Sequence, residues 1–176
     1  MQRMRKCKFA KGALLALSAV ATVHGPLAAQ RSVSLAQLPD VGRAVFAEMA
    51  QECRNYERGR LTAGPDFARQ AEFNGDGKPD FLLSIQGLDC STAASLLCGG
   101  SAGCAYEVIM STSGPAYRRI SLGTIQAVDI ISGKGPARLR LGLHGSSCGR
   151  VGSDTCYKTI AWNGTRFAEV PVPTRR

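Results

Sequence analysis

The chain has 176 residues, with 22 lysines and arginines against 13 aspartates and glutamates, and 44% of it is hydrophobic. That is enough for one domain with a buried core. Five of the bases (Arg3, Arg5, Lys6, Lys8 and Lys11) precede residue 12, so 17 bases face 13 acids over the remainder, a scattered excess that argues against a nucleic-acid binder.

Residues 1–29 read as a secretory signal peptide. A basic start leads into the apolar run from Gly12 to Val23, Gly25-Pro26 breaks it, and Leu27-Ala28-Ala29 offers small residues for cleavage. The run is too short for a membrane anchor, and no second apolar segment follows, so the expected product is periplasmic or secreted with no membrane span. Cys7 leaves with the signal. Cys53, Cys90, Cys98, Cys104, Cys148 and Cys156 remain, an even set that in an exported chain predicts three disulfides among 15 possible connectivities.

Residues 30–38 read as a mobile lead-in. Val41, Val45 and Met49 then recur at helical spacing, with Ala44, Phe46 and Cys53 alongside, while Arg43, Glu48, Gln51 and Glu52 fall largely opposite. This predicts a helix over 40–56, entered through Pro39, capped by Asp40 and ended by Gly59. From Pro65 the signals are those of β-structure. Phe67 to Phe73 and Phe81 to Ile85 form an antiparallel pair, the second an apolar run suited to cover on both faces. Residues 87–103 are rich in Ser, Ala and Gly and hold three cysteines. Tyr106 to Ser111 and Tyr117 to Leu122 pair across Gly114-Pro115, and Ile125 to Ile131 is a further strand. Leu139, Leu141 and Leu143 alternate with Arg138 and Arg140, predicting a strand with one buried and one wet face.

Asn163-Gly164 suits a two-residue type I′ turn, which sets Trp162 opposite Thr165, Ile160 opposite Phe167 and Lys158 opposite Glu169. The same Asn163-Gly164-Thr165 matches a glycosylation acceptor, but the turn is a sufficient explanation. Cys98 to Cys104 and Cys148 to Cys156 are both Gly-rich loops leading into a tyrosine and a strand. Local geometry favours bridges Cys98–Cys104 and Cys148–Cys156, leaving Cys53–Cys90 to pin the helix to the sheet. The fold class is therefore α+β: one N-terminal helix on a twisted antiparallel β-sheet of hairpins, stapled by disulfides. It occupies residues 39–172, ahead of a loose tail at 173–176.

The chemistry centres on the connection Glu72-Phe73-Asn74-Gly75-Asp76-Gly77-Lys78-Pro79-Asp80. Oxygen side chains recur at Glu72, Asn74 and Asp76 and again at Asp80, with glycines where the chain must curl. Such spacing suits a hard cation such as Ca²⁺, which takes 6–8 oxygen ligands. The stretch resembles the calcium loop of the FG-GAP and VCBS repeats, Asp-x-Asp/Asn-x-Asp-Gly-x-x-Asp. The resemblance covers about ten residues. It implies Asn74, Asp76 and Asp80 as side-chain ligands, the Lys78 carbonyl as another, and Glu72 where the family uses Asp. An EF-hand is a poor match, because its twelfth position would be Leu83. The alternative is a plain turn, since Asn-Gly and Asp-Gly turn without metal. The general layout also resembles small exported bacterial proteins of unassigned function.

Catalytic patterns are sparse. A Ser–His–Asp site would need His144 to meet Ser146 or Ser147 and one of Asp129 or Asp154. A carboxylate pair could come from Glu107 and Asp129. Arg118, Arg119, Arg138, Arg140 and Arg150 could form a basic face. The expectation is a non-enzymatic exported binding module with one Ca²⁺ loop, whose partner is a protein (a cell-wall hydrolase to be inhibited, for instance) or an envelope polysaccharide. The alternative is a small envelope hydrolase using carboxylates or His144.

Overall fold

A computed structural model describes residues 31–171; the expected signal peptide and the C-terminal tail lie outside the described residues. The layers follow from strand β4, Asp80–Ser84, every residue of which is buried. Phe81 and Leu83 point to one side and Leu82 to the other, and a separate hydrophobic core lies on each side. Strand β4 sits inside a five-stranded antiparallel sheet. Its companions are β1 (Arg31–Ser32), β3 (Ala68–Ala71), β6 (Cys104–Ser111) and β7 (Tyr117–Ile125), in the order β1-β3-β4-β6-β7.

One face is covered by helix α1, Asp40–Asn55. Of the predicted stripe, Val45 and Cys53 are buried and Val41, Phe46 and Met49 half-buried, and with Ala50 they pack against Phe67, Phe81, Leu83 and Ile109, whereas Ala44 is exposed. The other face packs on a second antiparallel sheet of β8 (Ala127–Gly133), β9 (Gly135–Leu143), β10 (Cys156–Trp162) and β11 (Phe167–Glu169). There Leu82, Val108 and Met110 meet Val128, Ile130, Leu139 and Leu141. Strands β2 (Leu61–Ala63) and β5 (Leu88–Cys90) form a separate ribbon. Alternation accounts for β9, where Leu139 and Leu141 are buried and Arg138 and Arg140 exposed. Among the described residues no helix is long and apolar enough to cross a membrane.

The structure is α+β and largely antiparallel, with corrections to the expected plan. The strands divide into two sheets and a ribbon instead of one sheet, because β4 and β6 have apolar residues on both faces and each face needs cover. The helix is not N-terminal. It follows β1 and a 3₁₀ turn at Leu35–Gln37, so the presumed lead-in is packed, with Val33 and Leu38 in the core. Asp40 is the first helical residue and pairs with Arg43; Pro39 is the cap residue, and its carbonyl accepts from the amides of Gly42 and Arg43. The helix ends at Tyr56, after which Glu57 and Arg58 both take positive φ, 51° and 58°.

The last hairpin is wider than a two-residue turn. Trp162 pairs with Phe167 and Ile160 with Glu169, leaving four residues in the connection. Asn163 decides this: its Oδ1 accepts from the amides of Thr165 and Arg166 and from the Thr165 hydroxyl, a side-chain turn that a two-residue loop has no room for. The shift is an even number of residues, so Lys158 and Glu169 stay on one face and still pair diagonally at 3.3 Å. The three disulfides are Cys53–Cys90, Cys98–Cys104 and Cys148–Cys156, the pairs that local geometry favours. The first ties α1 to the β2–β5 ribbon.

Candidate metal centre and adjoining cleft

The acidic stretch connects β3 to β4 and is folded by its own side chains. Glu72 Oε1 accepts from the amides of Asn74, at 2.9 Å, and Gly75. Asn74 Oδ1 accepts from the Asp76 amide at 3.0 Å, and Asp76 Oδ1 from the Lys78 amide at 2.9 Å. Each acceptor thus takes an N–H two residues ahead, a succession that winds the chain tightly. Gly75 and Gly77 supply the positive φ values this requires, 83° and 76°. The Glu72 carbonyl accepts from the Ala137 amide, which fastens the start of the loop to β9.

The far end of the loop is anchored by Asp80, which is fully buried. Its Oδ2 accepts from the Phe73 amide at 2.7 Å, and its Oδ1 from the amide and hydroxyl of Ser111 at 2.7 and 2.8 Å. The Ser111 hydroxyl is also 2.9 Å from Asp76 Oδ2, and it accepts from Asn74 Nδ2 at 3.2 Å. A hydroxyl has one proton to donate, so it cannot serve both carboxylates at once. Burial pushes the Asp80 carboxyl above the usual range, against the pull of its N–H and O–H donors. Asp76 is held below that range, chiefly by the Lys78 amide. The Lys78 ammonium donates to the carbonyls of Thr112 and Gly114 at 2.9 and 3.0 Å, and its charge adds a smaller pull that also lowers Asp76.

The structure therefore gathers Asn74, Asp76 and Asp80 around Ser111, while Glu72 and Lys78 hold the loop's entrance and its far wall. Among the described residues no three acidic, His or Cys side chains form a ready metal cage. The donor chemistry nevertheless suits a hard cation. All of the candidate ligands are oxygens, those engaged by N–H groups retain further lone pairs, and two carboxylates compete for one hydroxyl proton.

Asp76 and Ser111 also line an open cleft of about 420 Å³. Its opposite side is Arg118, whose guanidinium lies 4.5 Å from the centre of the Trp162 ring. Trp162 is braced edge-on by Phe167 at 5.5 Å, and Phe167 by Phe73 at 5.9 Å. The roles of Ser111 and of the Arg118–Trp162 stack were missed from the sequence. They depend on strand register and on the packing of two sheets, which no local spacing announces.

The other candidates do not converge. His144 Nδ1 lies 2.8 Å from Ser146 Oγ, but among the described residues no carboxylate completes the group. Asp154 pairs with Arg150 at 3.7 Å, and Asp129 is on the exposed outer face of β8. Glu107 is buried beneath α1 and bound by Arg119 at 3.2 Å, with both sheets between it and Asp129. The five arginines do not share a face. Arg119 turns towards Glu48 of α1, Arg118 towards Trp162, and Arg140 lies over Tyr157 on the outer side of the second sheet. No protein-family model, no curated protein and no solved structure matches the chain.

Proposed function

We propose that the chain is an exported, non-enzymatic binding module whose 72–80 loop holds one Ca²⁺ and thereby fixes one wall of the Asp76–Arg118 cleft. The observation that carries this reading is the single Ser111 hydroxyl set between Asp76 Oδ2 and Asp80 Oδ1 at 2.9 and 2.8 Å. The hydroxyl serves one carboxylate at a time, and a bound cation would offset the like charges of Asp76 and Asp80 that it leaves side by side. Asp76, Asp80, Asn74, the second oxygen of Glu72 and the Lys78 carbonyl would hold it. Three disulfides suit the oxidising compartment to which the signal-like start would send the chain.

The partner this cleft suits is an acidic envelope polysaccharide. Arg118 lies over Trp162 and gives one hydrogen bond to Met110 Sδ, which leaves other guanidinium donors for a carboxylate, and Ser113 lines the cleft beside it. Thermal unfolding of the oxidised full chain in EDTA and in millimolar Ca²⁺ tests the metal. The midpoint should rise with Ca²⁺, by the equivalent of about 2.7 kcal/mol at a hundredfold excess over Kd. Asp76→Ala should abolish the rise. No rise in the unsubstituted protein would reduce the loop to a structural turn. Arg118→Ala should keep the Ca²⁺ response and weaken retardation in gels containing acidic polysaccharide.

A further inference from the structure

A second groove lies at the C-terminal end of α1, built from residues the acidic loop does not use. Its floor is Phe46, Ala50 and Leu61, and its rim carries Arg54, Arg58 and Arg60 around about 520 Å³. All three arginines are exposed, and among the described residues none lies within ion-pair distance of a carboxylate. Arg54 gives one hydrogen bond to Gln51, leaving most of its donors free. The helix dipole accounts for Arg54 alone, since Arg58 and Arg60 lie beyond the last turn.

The turn that presents Arg58 is strained and locked. Glu57 and Arg58 are consecutive non-glycine residues in left-handed conformation, a state that persists only where its surroundings enforce it. Here the Tyr56 carbonyl accepts from the Gly59 amide and from the Thr92 hydroxyl at 3.1 and 3.0 Å. Gly59 lies so close to the Cys53–Cys90 bridge that a Cβ there would stand 2.7 Å from Cys53 Sγ and 2.4 Å from Thr92 Oγ1. Arg58 is thus kept at the rim at a cost in backbone energy.

From this juxtaposition we infer that the groove binds a single-chain anionic amphiphile, an acyl chain ending in a carboxylate, with the tail on Phe46, Ala50 and Leu61 and the head among the three guanidinium groups. Charge complementarity sets the head, since planar guanidiniums match carboxylates through paired hydrogen bonds. The recessed floor sets the source. Ala50 and Leu61 are buried, so an apolar group must enter the groove to touch them, and a flat bilayer would meet only the arginines. The volume lies within the roughly 300–1,000 Å³ usual for small-molecule sites.

Calorimetric titration of the oxidised full chain with laurate below its micelle concentration tests this. One laurate should bind per chain, with acetate and the uncharged dodecyl maltoside each at least tenfold weaker. Replacing Arg54, Arg58 and Arg60 together by glutamine should weaken laurate at least tenfold while leaving the circular dichroism spectrum unchanged. Arg58→Gly is the sharper variant, because glycine relieves the strain as it removes the charge. It should raise the unfolding midpoint and weaken laurate together, an outcome that a merely structural arginine would not give. Undiminished laurate binding by the glutamine variant would overturn the inference. Acetate binding as tightly as laurate would do so as well, as would binding to phosphatidylglycerol vesicles that laurate does not displace.

Discussion

Ser111, the last residue of β6, holds Asp80, the first residue of β4, through both its amide and its hydroxyl at 2.7 and 2.8 Å, across 31 residues of chain. The two ends of neighbouring strands are thereby fixed to the acidic loop that Asp80 closes. Asp80→Ala should destabilise the fold by about 3 kcal/mol, because the Phe73 and Ser111 amides are left buried without an acceptor. Urea unfolding in EDTA would measure it, and a loss below about 1 kcal/mol would mean that water replaces the carboxylate.

The two aspartates of the loop should give opposite pH slopes in metal-free protein. The raised Asp80 carboxyl takes up its proton in the folded state first, so between its folded value and 3.8 its contribution to stability grows as pH falls. The lowered Asp76 carboxyl contributes stability above 3.8 that disappears as pH falls through its folded value. Stability measured from pH 7 to pH 2 in EDTA should therefore lose the first slope in Asp80→Asn and the second in Asp76→Asn. Parallel profiles for both variants and the parent would contradict the assignment.

Arg119 bridges Glu107 and Glu48, and the two partners should differ in weight. Glu107 is almost fully buried and its second oxygen has no hydrogen-bond partner among the described residues, whereas the Glu48 side chain is about half exposed. Arg119→Ala should cost about 2–4 kcal/mol by leaving the Glu107 carboxylate alone in the core. Glu48→Ala should cost less than about 1 kcal/mol, as exposed pairs do. Equal losses in denaturant titrations would show that burial of Glu107 is not what gives the pair its weight.

The disulfides should rank by the loop each one closes. Cys53–Cys90 spans 37 residues and Cys98–Cys104 only 6, which in the chain-entropy account makes the first worth roughly 1.5 kcal/mol more. Paired Cys→Ala variants compared by thermal unfolding would test the order, and a larger loss for Cys98–Cys104 would reverse it.

Local signals carried much of this architecture. The helical spacing of Val41, Val45 and Met49, the alternation of Leu139 and Leu141 with Arg138 and Arg140, and the Gly-rich loops between near cysteines each encode their outcome within a few residues. Apart from one local miss at Asn163, what escaped depends on partners distant in the chain. The apolar residues on both faces of β6 required a second sheet, but nothing in that strand says which segments would supply it. The Asn163 side chain overrode the usual preference of an Asn-Gly pair for a two-residue turn. In the candidate site the oxygens of the loop were legible, while Ser111, which links two of them, arrives only through the β4–β6 register.

Strand β4 is five residues long, yet it supplies Phe81 and Leu83 to one hydrophobic cluster and Leu82 to the other. Neither cluster can be dismantled without exposing a face of the same strand to water. The helical layer and the outer sheet are thus obliged to melt as one cooperative unit, and the amides of β4 should be among the last in the molecule to exchange with deuterium.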